Sequence, residues 1–283
     1  MKRIKHHSFS EYAFGFLKYA SLIIASLIAV IPVVVCVFTA FKTPEEYQAT
    51  TVLELPKSFL YFDNFAEAFT KANMLNGFKN TGIVLIVVLL LSVFFSASLA
   101  YVLNRFRFPG NNLIRNLFMV ASLIPGIATQ VTVYQIMYAL KLINHLYGYI
   151  IVLCGTDIIS IYIFLQFFEN LPTALDESGI IDGCTYFGVF FKILFPLLKP
   201  AIVTSCVLKG VSIYNEYYMS NLYLTDKSLK TISTALYTFT GPYGSLYNYI
   251  CAGVLITIIP ILVLFLVCQK QVYGGMAAGA VKG

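Results

Sequence analysis

Charge is what this sequence has least of. Asp, Glu, Lys and Arg make up 11% of its 283 residues, and hydrophobic residues make up 59%. Soluble domains carry about 25% charge. A chain this poor in charge reads as an integral membrane protein, with little left over for a soluble domain. The charge that exists is unbalanced, 19 Lys and Arg against 13 Asp and Glu. Those cations are scattered at the ends of apolar runs, where membrane topology places them, so nucleic acid is not an expected partner.

Clusters that could hold a metal or form a disulfide framework are missing as well. Cys36, Cys154, Cys184, Cys206, Cys251 and Cys268 show no C-x-x-C spacing, and most lie inside apolar runs. They read as small core hydrophobes. His6 and His7 sit in a basic tail, which does not suggest a metal site. There is no H-E-x-x-H and no Ser/His/Asp constellation, which disfavours a membrane-embedded enzyme. The G-x-x-x-x-G spacing of Gly274 to Gly279 continues into Ala280-Val281 rather than Lys-Ser/Thr, so it is no phosphate loop. No convincing small-residue cleavage site follows the first apolar run, Leu17 to Ala40. That run is too long for a signal-peptide core, so a retained first span is expected.

What is present is a series of apolar runs long enough to cross a bilayer, which takes roughly 20 residues. Six are expected, at about 16–41, 78–103, 116–140, 147–168, 201–222 and 249–269. Lysines and arginines orient them. Lys2, Arg3, Lys5 and Lys18 mark the first tail, and Arg105, Arg107 and Arg115 the loop after the second run. Lys192 and Lys199 follow the fourth run, and Lys270 and Lys282 the sixth. The opposite loops hold lysines too, but Glu45, Glu46, Glu54, Asp63 and Glu67 offset the long one. The positive-inside rule then puts both termini, and the stretch Glu169 to Pro200, in the cytosol.

That stretch, ENLPTALDESGIIDGCTYFGVFFKILFPLLKP, has a readable local structure. Pro172 suits the first turn of a helix, and Asp176 and Glu177 favour its positive end. Gly183 can close it with a positive φ, and Thr185 can cap a second helix. On that helix Phe187, Phe190, Phe191 and Leu194 recur at i, i+3, i+4 and i+7, which predicts one apolar stripe. The stripe could be buried against the chain's own helix ends or the membrane interface, or in a groove on a cytosolic partner.

The same residues resemble the EAA loop of binding-protein-dependent ABC importer permeases. Glu177, Ser178 and Gly179 stand where the family has E-A-A, Asp182-Gly183 where it has D-G, and Phe195-Pro196 with Lys199-Pro200 at the end. AYVLNRFRFPGNN is similar to the family's A-Y-A-x-x-R-F-x-F-x-G, and SIYNEYY to its W-N-E-F segment, with Tyr214 for tryptophan. LIPGIATQVTVYQI resembles its proline-bearing third span, and GGMAAGAVKG the tail of MalG-like carbohydrate permeases. The likeness runs from Asn64 onward.

The resemblance implies an all-α integral membrane protein of six transmembrane helices, a type I ABC importer permease core of the MetI-like kind with a cytosolic EAA coupling helix. Residues 1–283 form one transmembrane domain, with its core at about 76–270 and a coupling loop at 169–200. It implies ATPase coupling through Glu177, Ser178, Gly179, Asp182, Gly183, Phe187, Phe190 and Phe191. The chain itself is expected to bind no cofactor and to perform no catalysis. ATP and Mg belong to a pair of ATPase subunits, joined by a second homologous permease and an extracytoplasmic solute-binding protein. The solute implied is a sugar, an oligosaccharide first, with glycerol phosphate or a charged sugar as alternatives. The location implied is the cell membrane, multi-pass and in contact with lipid.

Polar groups inside spans are functional candidates. Lys209, Ser212 and Glu216 in the fifth run fall at i, i+3 and i+7, and Tyr214 and Asn215 lie beside them. Amide, carboxylate and aromatic groups together suit a polyhydroxylated ligand in a translocation path. The other reading is that this face glues the two permeases together. A self-contained carrier is the rival class; it calls for paired internal repeats and broken helices, and no repeat is evident.

Overall fold

The computed structural model describes residues 9–155, 157–241 and 244–280. The tail residues Lys2, Arg3, Lys5, His6 and His7, and Lys282 at the other end, lie outside the described residues. The chain divides into two units. One runs from the N-terminus through Ala72 and adds Leu236–Ile258; the other is Asn73–Ala235 with the remainder from Ile259.

The first unit begins with α1 (Phe9–Ala40), followed by α2 (Pro44–Ala49) and α3 (Asp63–Lys71). Its connecting segments are fixed by buried polar side chains. The Lys42 side chain is fully buried, and its Nζ donates to Thr51 O at 2.6 Å. Asn64 Nδ2 donates to Ala40 O and Lys42 O at 2.8 and 2.7 Å, while its Oδ1 accepts from Asn248 Nδ2. Thr43 caps α2 by accepting from Glu46 N. Burying such groups is tolerable because each has its partner.

The second unit is built around α4 (Met74–Arg105). Ser92, Ser96, Ala97 and Ala100 are buried on it, and small residues let helices approach closely in a membrane. Against them pack Ile161, Phe164, Leu165 and Phe168 of α8 (Ile158–Glu169), at i, i+3, i+4 and i+7. Before α8 come α5 (Asn111–Ser122), α6 (Gly126–Ala139) and α7 (Leu146–Leu153). After it come α9 (Ala174–Ile181), α10 (Tyr186–Leu197), α11 (Lys199–Tyr214), α12 (Tyr218–Tyr223) and α13 (Ile232–Ala235). The last helix, α14 (Tyr247–Ala280), begins in the first unit and ends in the second. A two-residue strand pair, Thr240–Gly241 with Gly244–Ser245, is the only sheet among the described residues.

Six spans result when each bent pair counts as one, three unbroken and three bent. The runs predicted at 16–41, 78–103 and 249–269 are the unbroken helices α1, α4 and α14, each longer than its apolar run. The other three are corrected. The run at 116–140 bends by 99° between α5 and α6, where Pro125, which has no N–H to continue α5, takes extended angles (φ −60°, ψ 124°) at the start of α6. The run at 147–168 bends by 47° between α7 and α8. The run at 201–222 stops at Tyr214, and its first helix turns by 74° from α10 at Leu198.

Candidate functional site

The hairpin of α9 and α10 closes as its sequence demands. Asp176 and Glu177 occupy the first turn of α9. Pro172 lies just before it rather than inside it, a correction of one turn's edge. Gly183 adopts φ +85°. Its N–H donates to Ile180 O at 3.0 Å, and Cys184 N donates to Gly179 O at 2.9 Å. That is a Schellman ending, which a β-carbon at Gly183 would strain. Thr185 Oγ1 then accepts from Gly188 N at 3.2 Å and starts α10.

Gly179, which stands where the family has its second alanine, faces α10. A Cβ there would stand 2.6 Å from Ile193 Cδ1 and 3.0 Å from Val189 Cγ2. With no side chain, Gly179 lets α9 lie on α10 without any shift of Ile193 or Val189.

The predicted aromatic stripe is corrected. Val189–Leu194 forms a π turn inside α10, and five-residue hydrogen bonding breaks the 3.6-residue register. Val189, Phe190 and Leu194 are buried against the unit's own core, whereas Phe187 is 78% exposed and Phe191 is 43% exposed. Phe190 meets Tyr101 with centroids 5.1 Å apart. The outward face of the hairpin is Glu177, Ser178, Ile181, Asp182, Gly183 and Phe187. Two carboxylates therefore flank exposed apolar side chains.

One cation ties the hairpin to the spans. Arg105, the last residue of α4, donates through Nη2 to Leu171 O at 3.0 Å and through Nη1 to Phe168 O at 3.4 Å. Its Nε lies 3.1 Å from Asp176 Oδ2, with both side chains largely buried. This contact is an ion pair without the alignment of a hydrogen bond, since neither atom has a hydrogen-bond partner. Burial pushes the Asp176 carboxyl above its ordinary value, and Arg105 opposes that shift. In the sequence Arg105 is a topology marker and the Arg of the family's A-Y-A-x-x-R-F segment, and neither announces its contacts with Asp176 and the two carbonyls.

A second polar centre lies within the spans, and its main residue escaped the sequence reading. Asp157 caps α8, with Oδ1 accepting from Ser160 N at 3.3 Å. Its Oδ2 accepts from Ser92 Oγ at 2.9 Å and from Ser160 Oγ at 2.7 Å, and it lies 3.8 Å from Lys209 Nζ. Ser160 and Ser205 share a hydrogen bond of 2.6 Å. Helices α4, α8 and α11 thus meet at one carboxylate and one ammonium. A lone Asp amid an apolar run is a signal on its own.

The rest of the proposed polar face is not one face. Helix α11 ends at Tyr214, so the i, i+7 relation of Lys209 to Glu216 fails. Ser212 is exposed. Asn215 Nδ2 donates back to Val211 O at 3.1 Å, and Glu216 Oε1 accepts from Met219 N at 2.9 Å at the start of α12. Tyr214 borders an apolar groove with Leu89, Gly210, Pro260 and Leu264.

Residues 92–269 match the model of the family described as binding-protein-dependent transport system inner membrane component. The chain belongs to that family. The arabinooligosaccharides transport system permease protein AraQ of Halalkalibacterium halodurans is 32% identical over 260 residues, 91% of this chain and 93% of the relative. The melibiose/raffinose/stachyose import permease protein MelC of Bacillus subtilis is 30% identical, over 89% of this chain and 91% of its own. Among solved structures, a bacterial ABC transporter involved in import of the acidic polysaccharide alginate superposes with a TM-score of 0.82 at 19% identity, covering 94% of this chain and 99% of that one. That likeness bears on the fold alone. The protein is thus a multi-pass inner membrane component of a transport system, with the type I importer permease fold expected from its sequence.

Proposed function

We propose that this chain is a permease subunit of an ATP-driven importer of oligosaccharides. The observation that carries the reading is membership of the family together with relatives named for arabinooligosaccharides, starch degradation products and melibiose/raffinose/stachyose. The partners follow from that class: a second permease, a pair of ATPase subunits that hold ATP and Mg, and an extracytoplasmic binding protein. Both termini and the coupling loop 169–200 face the cytosol, and the core at about 76–270 belongs to one functional domain.

The geometry supplies a route for coupling. An ATPase groove would take the exposed face around Glu177, Asp182 and Phe187. A push on α9 reaches α4 through Arg105, and α8 through the Phe168 carbonyl and the Leu171 carbonyl in the segment just after it. Helices α4 and α8 also carry Ser92, Asp157 and Ser160. From Arg105 to Ser92 is roughly 20 Å along one rigid helix. Movement at the hairpin is thereby delivered to the intramembrane polar centre. Lys209, Tyr214, Asn215 and Glu216 border the path in this reading, with Ser212 exposed towards it or towards the second permease.

Broken spans alone would fit a secondary carrier too; the family match weighs against one. The test is a strain lacking this chain, supplied with labelled arabinotriose or raffinose. Uptake should return with the wild-type gene and fail when cellular ATP is depleted at constant ion gradients. Uptake that follows the ion gradient instead would overturn the proposal. So would purification of the native complex without an ATPase subunit.

A further inference from the structure

Neither coupling nor solute passage uses a polar trough beside the loop from α4 to α5. A cavity of about 740 Å³ opens there, and a second of about 660 Å³ shares Asn112, Arg115 and Glu169 with it. The loop is rigid. Asn111 Nδ2 donates to Leu103 O at 3.0 Å and Phe106 O at 2.9 Å, and Gly110 turns the chain into α5 at φ +90°. Tyr162 Oη donates to Arg115 O at 2.8 Å and holds α5 against α8.

Two arginines border the trough. Arg107 projects from the fixed loop, exposed to solvent. Arg115 spends Nη2 on Glu169 at 3.3 Å, but its Nε is shielded from solvent without any partner. The carboxamides of Asn104 and Asn112 line the same cavity. Two guanidinium groups and one carboxylate line the cavity, and Arg115 already pairs with that carboxylate. An oxyanion with several acceptor oxygens is the chemistry that would use the remaining donors.

Position selects the source of that anion. Helix α4 has 32 residues, about 48 Å, while the hydrocarbon core is about 30 Å thick. Its Arg105 end therefore reaches headgroup level. Beside the trough, Leu113, Leu117 and Val120 of α5 recur at i, i+4 and i+7, each more than half exposed. Acyl chains can lie along that stripe while a phosphate enters the trough. We propose that the trough binds the phosphate of an anionic membrane lipid such as phosphatidylglycerol. This does not depend on which solute the protein carries.

The full chain, purified in detergent and stripped of lipid, tests it by native mass spectrometry and thermal melting. The probes are dioleoyl phosphatidylglycerol, dioleoyl phosphatidylcholine and soluble glycerol 3-phosphate. Phosphatidylglycerol should bind more tightly than phosphatidylcholine, and salt should narrow the gap. Arg107→Gln should weaken it roughly fivefold, and Arg107→Gln with Arg115→Gln about thirtyfold, from the usual contribution of a basic residue at a charged membrane. Lys57→Gln, in the first unit, should change nothing. The single Arg107→Gln variant keeps the test valid if loss of the Arg115–Glu169 pair disturbs folding. Equal binding of both lipids, or wild-type affinity in Arg107→Gln, overturns the proposal. Equal protection by glycerol 3-phosphate would keep the phosphate site but overturn the lipid assignment.

Discussion

At Arg105, four groups depend on one side chain: the Leu171 and Phe168 carbonyls, the Asn104 amide oxygen and the Asp176 carboxylate. Arg105→Gln keeps a donor but removes the fork and the charge, leaving the Asp176 carboxylate buried without its counter-charge. Such losses cost about 3–5 kcal/mol in a buried pair. The expected outcome is faster amide exchange across 172–188 with little change in the buried face of α4, read by hydrogen-exchange mass spectrometry. Unchanged exchange in the hairpin would remove Arg105 from the coupling route. Gly179→Leu should part α9 from α10, since even a Cβ meets Ile193. It should abolish uptake while the chain remains in the membrane. Gly183→Arg should do the same for two reasons, a strained φ and a bulky cation on the face proposed to dock. Uptake at the wild-type rate in the Gly183 variant would count against the docking assignment.

Helices and their breaks obey a different balance. The three unbroken spans were legible because a long apolar helix needs only its own residues. Gly183 and Thr185 were legible for the same reason, since caps are local. The π turn at Val189–Leu194 was not, because it is stabilised by where Phe190 and Leu194 find a core. The bends were hidden by hydropathy, which sums 116–140 or 147–168 without regard to backbone hydrogen bonds. The partnership of Asp157 with Lys209 joins residues in different spans, and no local spacing announces it. Its consequences are testable at this scale. Asp157→Asn and Lys209→Met should each lower the melting temperature in detergent, and the neutral double variant should recover most of the loss. Exchanging the two charges should not rescue, because Lys at position 157 would sit at the positive end of α8. Full rescue by exchange would mean that Asp157 acts through charge alone and not as a helix cap.

For the molecule as a whole, orientation rests on the placement of cations. In a background without the six cysteines, Cys introduced at Asp63 should react with an impermeant reagent from outside the cell. Cys introduced at Ser178 should react only after the membrane is opened. Labelling of both from one side would dismantle the six-span arrangement. Purification from native membranes should bring down an ATPase and a second membrane chain.

Arg105 also sets an order in time. Asp176 is synthesised 71 residues after Arg105, a difference read from their numbers. At about 5–20 residues per second this interval lasts roughly 4–14 seconds. Until it ends, the guanidinium at the end of α4 lacks the Asp176 carboxylate, and for all but the last five residues of that interval it lacks the Leu171 carbonyl as well. During that interval the nascent second span is anchored by its apolar length but not yet seated. A chain stalled before residue 171 would expose this unfinished end to membrane proteases.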